Sequence, residues 1–139
     1  MRKVIIASHH KMASGLKNTI EFIAGEQPTL TAIDAYMDNK PLDNLLEPLF
    51  SKKRDEDEII IFTDLKAGSV NQGFIKYVSQ LHVHLLTGMS LPLILPVVLS
   101  PSDAYLDDET IQRYIDDARK EIVYMNTELM KVIADDDDE

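Results

Sequence analysis

Two adjacent histidines, His9 and His10, lie where the first apolar run of the chain gives way to a helical pattern. Asp64 and, five residues later, Ser69 follow another apolar run in the same way. A carboxylate on one imidazole nitrogen leaves the lone pair of the other free for attack and stabilises the positive ring that forms. A hydroxyl and the free N–H groups at a helix start bind phosphoryl oxygens. These residues predict phosphoryl chemistry at His9.

A purely structural interpretation of the same residues is also open. In that interpretation His9 ends a strand, Asp64 caps a turn and Ser69 is the N-cap of a helix. His10 has two interpretations as well, because its side chain either faces solvent or adds a second contact to a bound phosphate. Spacing alone does not separate these alternatives.

The residues are positioned by an alternation of buried strands and helices. The apolar runs are typical of strands buried on both faces, and they lie in KVIIASH, LTAIDAYM, EDEIIIFTDL and HVHLLTG. Helical patterns follow them: one from Met12 to Gly25, NKPLDNLLEPLF with Pro48 ending or kinking it, AGSVNQGFIKYVSQL capped by Ser69, LPLILPVVL, and one long helix from about Asp107 through Leu129.

This alternation predicts an α/β fold: an open, mostly parallel sheet of about four strands with helices on both faces. Ligands bind such sheets beyond the carboxyl ends of the strands, near a topological switch point. His9, Asp64 and Ser69 all follow strands at that edge, so we expect them to lie close together.

Composition sets the limits on function class. The chain has 139 residues, no cysteine and a net charge of −10, half of it from the terminal DDDDE. We expect one domain at 1–134 and an acidic, disordered tail at 135–139. The negative charge opposes nucleic-acid binding and favours a basic protein partner. The absence of cysteine excludes disulfides and thiolate metal sites.

No apolar segment of the sequence is typical of a spanning helix or a signal peptide. HLLTGMSLPLILPVVLS contains two prolines and a glycine, and it falls short of the roughly 18 continuous apolar residues of a spanning helix. The apolar run after Arg2 and Lys3 is shorter than a signal-peptide core. We therefore expect an unprocessed chain in the cytoplasm.

Three segments carry a resemblance to a known family. VIIASHHKMASGL, IIIFTDLKAGSVNQ and LLTGMSLPLIL resemble successive segments of the mannose-family IIA component of the bacterial phosphoenolpyruvate-dependent sugar phosphotransferase system. The similarity covers about the first hundred residues, in order and spacing. It implies a phosphotransferase component in which His9 carries the phosphoryl group, Asp64 pairs with His9, and Ser69 contacts the phosphate.

The resemblance also implies the partners. Phosphorylated HPr would be the donor, a IIB component the acceptor, and a second copy of the chain the dimer partner. The membrane would be reached only through the transporter complex, and no cofactor is implied.

Four positions depart from the family pattern. The family usually has glycine at the position of His10, an aromatic residue at Lys66, and Gly-Gly-Ser-Pro where this chain has Ala67-Gly68-Ser69-Val70. None of these changes removes the predicted nucleophile. They leave open the partner surface and the sugar.

Other functions fit the residues less well. His82 and His84 are spaced as a metal pair on one strand face, but no third ligand is evident and ordinary strand residues explain them. A phosphorelay receiver domain needs acidic residues after its first strand, where this chain has histidines. A nucleotide site would need G-x-G-x-x-G, and a serine hydrolase G-x-S-x-G.

The nearer alternatives keep the fold. One is a regulatory IIA-like domain or the phosphoryl-relay domain of a dihydroxyacetone kinase, using the same histidine. Another is a binding protein of this fold that transfers nothing.

Overall fold

Four of the apolar runs form one sheet in which every strand pair is parallel. The computed structural model describes residues 1–137. The strands are β1 (Arg2–His9), β2 (Leu30–Ala35), β3 (Glu58–Thr63) and β4 (Val83–Thr87). Their order is β2-β1-β3-β4. The predicted α/β class with an open parallel sheet of four strands is confirmed.

Residues 1–137 contain six helices, of which the first five pack on the sheet or on one another and the sixth is exposed over residues 125–136. They are α1 (Met12–Ala24), α2 (Leu42–Ser51), α3 (Ser69–Phe74, continued by a 3-10 turn at Ile75–Tyr77), α4 (Leu91–Leu99), α5 (Asp108–Arg119) and α6 (Met125–Asp137). Within residues 1–137, no helix has the length and apolar content needed to cross a bilayer.

The strand side chains alternate between two apolar cores. Val4 and Ile6 of β1 belong to the core beneath α1, α4 and α5, whereas Ile5 and Ala7 belong to the core beneath α2 and α3. This period of two is the geometry of a pleated strand. Because both faces are covered, the strands are apolar throughout, as the sequence pattern predicted.

The chain reverses its direction of travel across the sheet beside β1. It runs from β1 to β2 on one side and then returns to β3 on the other. The gap beyond the carboxyl ends of β1 and β3 is therefore the topological switch point, where ligands of such sheets bind.

A buried ion pair fixes the opposite end of these two strands. Arg2 of β1 and Glu58 of β3 are both buried, and Arg2 Nε donates to Glu58 Oε1 at 2.5 Å. The guanidinium also donates to the carbonyl oxygens of Ser100, Pro101 and Ala104. The pair thus holds the segment after α4 against the sheet and fixes the relative position of β1 and β3.

The expected long C-terminal helix is wrong. Two helices, α5 and α6, replace it, and residues 120–124 between them are non-helical. The break contains adjacent β-branched residues, Ile122 and Val123, which lose side-chain freedom in a helix. Ile122 is 88% exposed, so no packing within the chain compensates for that loss.

Two local expectations also differ from the structure. Ser69 is the first residue of α3, and Gly68 occupies the N-cap position. Of the two outcomes expected for Pro48, the structure excludes an end of α2, which continues to Ser51, and a kink stays a prediction. The predicted tail at 135–139 overlaps the end of α6, and residues 138–139 lie outside the described residues, so that boundary stays a prediction.

Candidate active site

His9 and Asp64 meet at the switch point. In the β1–β3 register Ala7 lies opposite Thr63, so the residues that follow are neighbours at the carboxyl edge. Asp64 Oδ2 lies 2.8 Å from His9 Nδ1 and also accepts the His9 backbone N–H at 2.8 Å. One carboxylate oxygen therefore fixes both the backbone and the ring of the histidine.

The surroundings of Asp64 favour its ionised form. Burial acts to raise the pKa of this carboxyl, but hydrogen bonds from the His9 backbone N–H, the His9 imidazole and the Leu65 N–H outweigh it. The pKa of Asp64 consequently lies below its ordinary value of 3.8. These contacts stabilise the fold above that value, and their contribution is lost as the pH falls below it.

The second ring nitrogen of His9 remains open. An ionised Asp64 only accepts hydrogen bonds, so it selects the neutral tautomer with the proton on Nδ1 and the lone pair on Nε2. Among residues 1–137 no hydrogen-bond partner of Nε2 is found. The His9 side chain is 39% exposed, against 9% for Asp64. The arrangement presents a nucleophilic nitrogen to solvent, backed by a partly buried carboxylate.

Gly68 forms one wall of this site. A Cβ built on it would lie 3.0 Å from His9 Cε1 and 3.2 Å from both the Cβ and the carbonyl oxygen of Leu65. A larger residue here would therefore require the imidazole or Leu65 to shift by a few tenths of an ångström. The sequence pattern placed Gly68 next to Ser69 at the start of a helix, but it did not indicate the contact of Gly68 with His9.

Ser69 is brought to the same edge, where its partner is a tyrosine. Its Oγ lies 2.5 Å from the hydroxyl of Tyr36, and the Tyr36 ring centroid is 5.4 Å from that of His9. Sequence reasoning missed Tyr36, because the alternation in LTAIDAYM predicted a strand through Met37. The strand instead ends at Ala35. Tyr36 is therefore the first residue after a strand at the carboxyl edge, and that position is the signal that would have identified it.

Buried polar groups hold the segment between β3 and α3. Thr63 Oγ1 lies 2.8 Å from Asn71 Oδ1 and 2.9 Å from Thr87 Oγ1. Asn71 Nδ2 donates to the Lys66 carbonyl oxygen. Since satisfied buried networks are rigid, Asp64 and Gly68 are fixed relative to β1 as well as to β3.

His10 adopts a left-handed backbone, with φ of 58°. Its carbonyl oxygen accepts the Ser8 hydroxyl, and Ser8 Oγ accepts the Ala13 N–H at the start of α1. The His10 side chain is exposed, and within the described residues it has no hydrogen bond. Its backbone conformation explains why glycine suits this position, and a phosphate contact by its ring stays a prediction.

The other histidine pair lies away from the site. His82 precedes β4, at the opposite edge of the sheet, and stacks on Tyr105 with centroids 3.6 Å apart. Within residues 1–137, no group of three or more His, Cys, Asp or Glu side chains is arranged to hold a metal ion.

Comparison with known proteins confirms the resemblance noted from the sequence. A family model described as the PTS system fructose IIA component matches residues 3–112. No curated protein sequence matches the chain. Among solved structures, one from Klebsiella pneumoniae assigned as a phosphoenolpyruvate-dependent sugar phosphotransferase system permease is 36% identical, with a TM-score of 0.85 over 92% of this chain and 93% of that one.

Two further solved structures share the fold. The phosphotransferase system component EIIA from Streptococcus agalactiae is 25% identical, with a TM-score of 0.74 over 91% of this chain and 99% of that one. The mannose/sorbose-specific IIA subunit from Enterococcus faecalis is 17% identical, with a TM-score of 0.72 over 88% and 93%. At 17% identity the likeness shows the fold alone.

The contact between Gly68 and His9 predicts the effect of one methyl group. In Gly68→Ala the new Cβ would crowd His9 Cε1 and Leu65, and we expect the imidazole to shift away from it and weaken its bond to Asp64. In the wild type we expect ¹⁵N chemical shifts of the neutral His9 imidazole that are typical of the Nδ1–H tautomer. In Gly68→Ala these shifts should move to values typical of a mixture of the two tautomers.

Gly15→Ala is the matched control. Gly15 lies inside α1 with no atom within 4 Å of a built Cβ. That substitution should leave the imidazole shifts unchanged and stabilise the helix by up to about 1 kcal/mol. Unchanged His9 shifts in Gly68→Ala would contradict the assigned role of Gly68.

Proposed function

The chain belongs to the IIA component family of the sugar phosphotransferase system, whose members are phosphotransferase proteins, and from that membership we propose that His9 is its phosphoryl carrier. In this proposal His9 accepts the phosphoryl group of phosphorylated HPr and passes it to a IIB component. The observation that supports it best is the 2.8 Å contact of His9 Nδ1 with Asp64 Oδ2, which leaves Nε2 open.

The proposed transfer exchanges one P–N bond for another. The Nε2 lone pair of His9 attacks the phosphorus of the donor phosphohistidine as the donor's P–N bond breaks, and that electron pair returns to the donor imidazole. The proton on His9 Nδ1 stays in place. The phosphorylated ring is then positive. In delivery, a nucleophile of the IIB component attacks the phosphorus as the P–Nε2 bond breaks, and that electron pair returns to the His9 imidazole.

Asp64 has two roles in this proposal. It holds the ring in the tautomer that attacks through Nε2, and its negative charge stabilises the positive ring of the phosphorylated state. Because its pKa lies below the ordinary value, the carboxylate is ionised throughout the neutral range. Both roles are therefore available at any pH where the family functions in cells.

Ser69 and His10 are the proposed phosphate contacts. Ser69 follows Gly68, which packs against the His9 ring, and its hydroxyl contacts Tyr36, whose ring neighbours the same imidazole. His10 follows the nucleophile directly and has an exposed ring. A protonated imidazole there would add a charge-assisted hydrogen bond to a phosphoryl oxygen.

The proposed location follows from the partners. HPr and the IIB component meet a IIA component in the cytoplasm, and contact with the membrane is made only through the transporter complex. No cofactor takes part, since each phosphoryl transfer is between side chains.

Phosphorylation of His9 is tested by intact-mass measurement after incubation with phosphoenolpyruvate, enzyme I and HPr. The chain should gain the mass of one phosphoryl group, and the adduct should be labile in acid and stable in alkali, as a phosphoramidate is. His9→Gln should gain nothing, whereas His84→Gln, which changes a histidine of β4, should behave as wild type. An acid-stable adduct, or full labelling of His9→Gln, would overturn the assignment.

The role of Asp64 predicts a kinetic effect without loss of the fold. In Asp64→Asn the amide still contacts the ring but cannot stabilise its positive charge, so transfer from HPr should slow by on the order of 10². Asp43→Asn is the control, because Asp43 is an exposed carboxylate paired with Lys76. Rapid-quench rates equal to wild type in Asp64→Asn would remove Asp64 from the mechanism.

A second copy of the chain is the proposed dimer partner. Besides the family resemblance, an apolar stripe on α6 supports it: Met125, Leu129, Val132 and Ile133 recur at helical spacing and are all more than 50% exposed. Exposed stripes of this kind mark interaction surfaces. Burial against a partner chain would remove them from water.

The dimer predicts a particle near twice the 15.7 kDa of one chain. Light scattering at micromolar concentration should give that mass for the wild type. Leu129→Lys, in the middle of the stripe, should weaken association, whereas Lys131→Glu, on the same helix but outside the stripe, should not. A wild-type monomer at high concentration that still accepts phosphate would contradict a need for pairing.

A further inference from the structure

We propose that Tyr36 is a positioning residue for this phosphoryl transfer, acting through Ser69. Its hydroxyl holds Ser69 Oγ so that the single Ser69 proton is directed at the phosphoryl group on His9. The inference rests on the proposed function, since it assigns a role in the transfer at His9. Neither the sequence pattern nor the resemblance to IIA components assigned a role to this tyrosine.

The backbone at Tyr36 is the first observation. Its φ of 63° lies in the left-handed region, which a bulky residue such as tyrosine rarely adopts. Backbone of this kind persists only where the surroundings impose it, and it clusters at functional sites. Here it ends β2 and turns the side chain along the carboxyl edge, where the ring lies 5.4 Å from the His9 ring at an interplanar angle of 40°.

The hydroxyl pair is the second observation. Tyr36 Oη and Ser69 Oγ are 2.5 Å apart. Each hydroxyl has one proton to donate and can accept two hydrogen bonds. In the absence of phosphate either group can be the donor. The bond therefore links the two side chains but does not by itself orient the Ser69 proton.

A phosphoryl group on Nε2 removes that ambiguity. Its anionic oxygens accept hydrogen bonds about twice as strong as those of a neutral hydroxyl, so the Ser69 proton turns to the phosphoryl group. The Tyr36 hydroxyl then donates its own proton to a lone pair of Ser69 Oγ. The resulting chain runs from the Tyr36 hydroxyl through Ser69 to the phosphoryl oxygen, and each bond polarises the next.

In the phosphorylated state Tyr36 acts through Ser69, because its single hydroxyl proton is donated to Ser69 Oγ. Its hydroxyl makes no hydrogen bond to His9 within residues 1–137, and the two rings are tilted neighbours without a polar contact. The side chain is 49% exposed, so it is accessible at the surface where a phosphoryl donor must approach. Its ring lies beside the His9 imidazole, while its hydroxyl orients the serine.

The test is a double-mutant cycle on the full chain. Tyr36→Phe keeps the ring and removes only the hydroxyl, and it should slow transfer from phosphorylated HPr by about fivefold to tenfold. Ser69→Ala should slow transfer further, by up to about 10². In the Ser69→Ala background, Tyr36→Phe should change the rate by less than about twofold, because the hydroxyl has no serine to orient.

A spectroscopic readout separates positioning from simple destabilisation. The ³¹P resonance of the phosphorylated chain should shift in Tyr36→Phe toward its position in Ser69→Ala, while the melting temperature stays close to that of wild type. Tyr105→Phe is the matched control. Tyr105 is 50% exposed and its hydroxyl donates to the Glu56 carbonyl oxygen at the other edge of the sheet, so neither rate nor resonance should move.

Each contrary result has a distinct meaning. Tyr36→Phe with the rate and resonance of wild type would overturn the role of Tyr36 and leave the proposed function intact. Fully additive effects in the double variant would overturn the route through Ser69. A wild-type chain that accepts no phosphoryl group would overturn the proposed function, and the role of Tyr36 with it.

Discussion

The parallel pairing of β1 with β3 is the constraint on which the site depends. Their register puts Ala7 opposite Thr63, so Asp64, the residue after Thr63, lies within one residue of His9 along the carboxyl edge. A single carboxylate oxygen then binds both the backbone and the ring of the histidine. The buried pair of Arg2 and Glu58 at the far end of the strands opposes any slip of this register.

The sheet positions the nucleophile, and the segment between β3 and α3 shapes the space around it. Asn71 fixes that segment, because its side chain bonds to Thr63 Oγ1 and to the Lys66 carbonyl oxygen. A Cβ built on Gly68 would lie only 3.0 Å from Cε1 of the His9 imidazole. The sheet thus positions His9 and Asp64, while the segment between β3 and α3 determines what fits beside the His9 ring.

The main elements of this arrangement were predictable from the sequence because they follow from strong, local patterns. Runs of buried β-branched residues marked the strands, and parallel strands bring their carboxyl ends to one edge, which placed His9 near Asp64. Tyr36 was not predictable in this way, since the alternation around Ala35 continues through it and a left-handed tyrosine has no sequence signature. The closeness of Gly68 to His9 depends on tertiary distances that no local pattern contains.

The C-terminal helices α5 and α6 show that local sequence patterns also fail to predict where a helix ends. Apolar spacing alone was consistent with one long helix, and the break before α6 depends on whether Ile122 finds a packing partner within the chain. It is 88% exposed. Periodicity identifies an apolar face, but it does not say whether that face packs within its own chain.

The alternation of side chains along β1 has a consequence for how this strand can evolve. Ser8 faces the side of α1, where its hydroxyl accepts the Ala13 N–H, and His9 lies on the side of Gly68 and α3. Substitution of one apolar residue for another within β1 leaves this division intact. Insertion or deletion of one residue would exchange the two faces, aiming a hydroxyl at Asp64 and burying the imidazole under α1. The site therefore tolerates changes in the composition of β1 better than changes in its length.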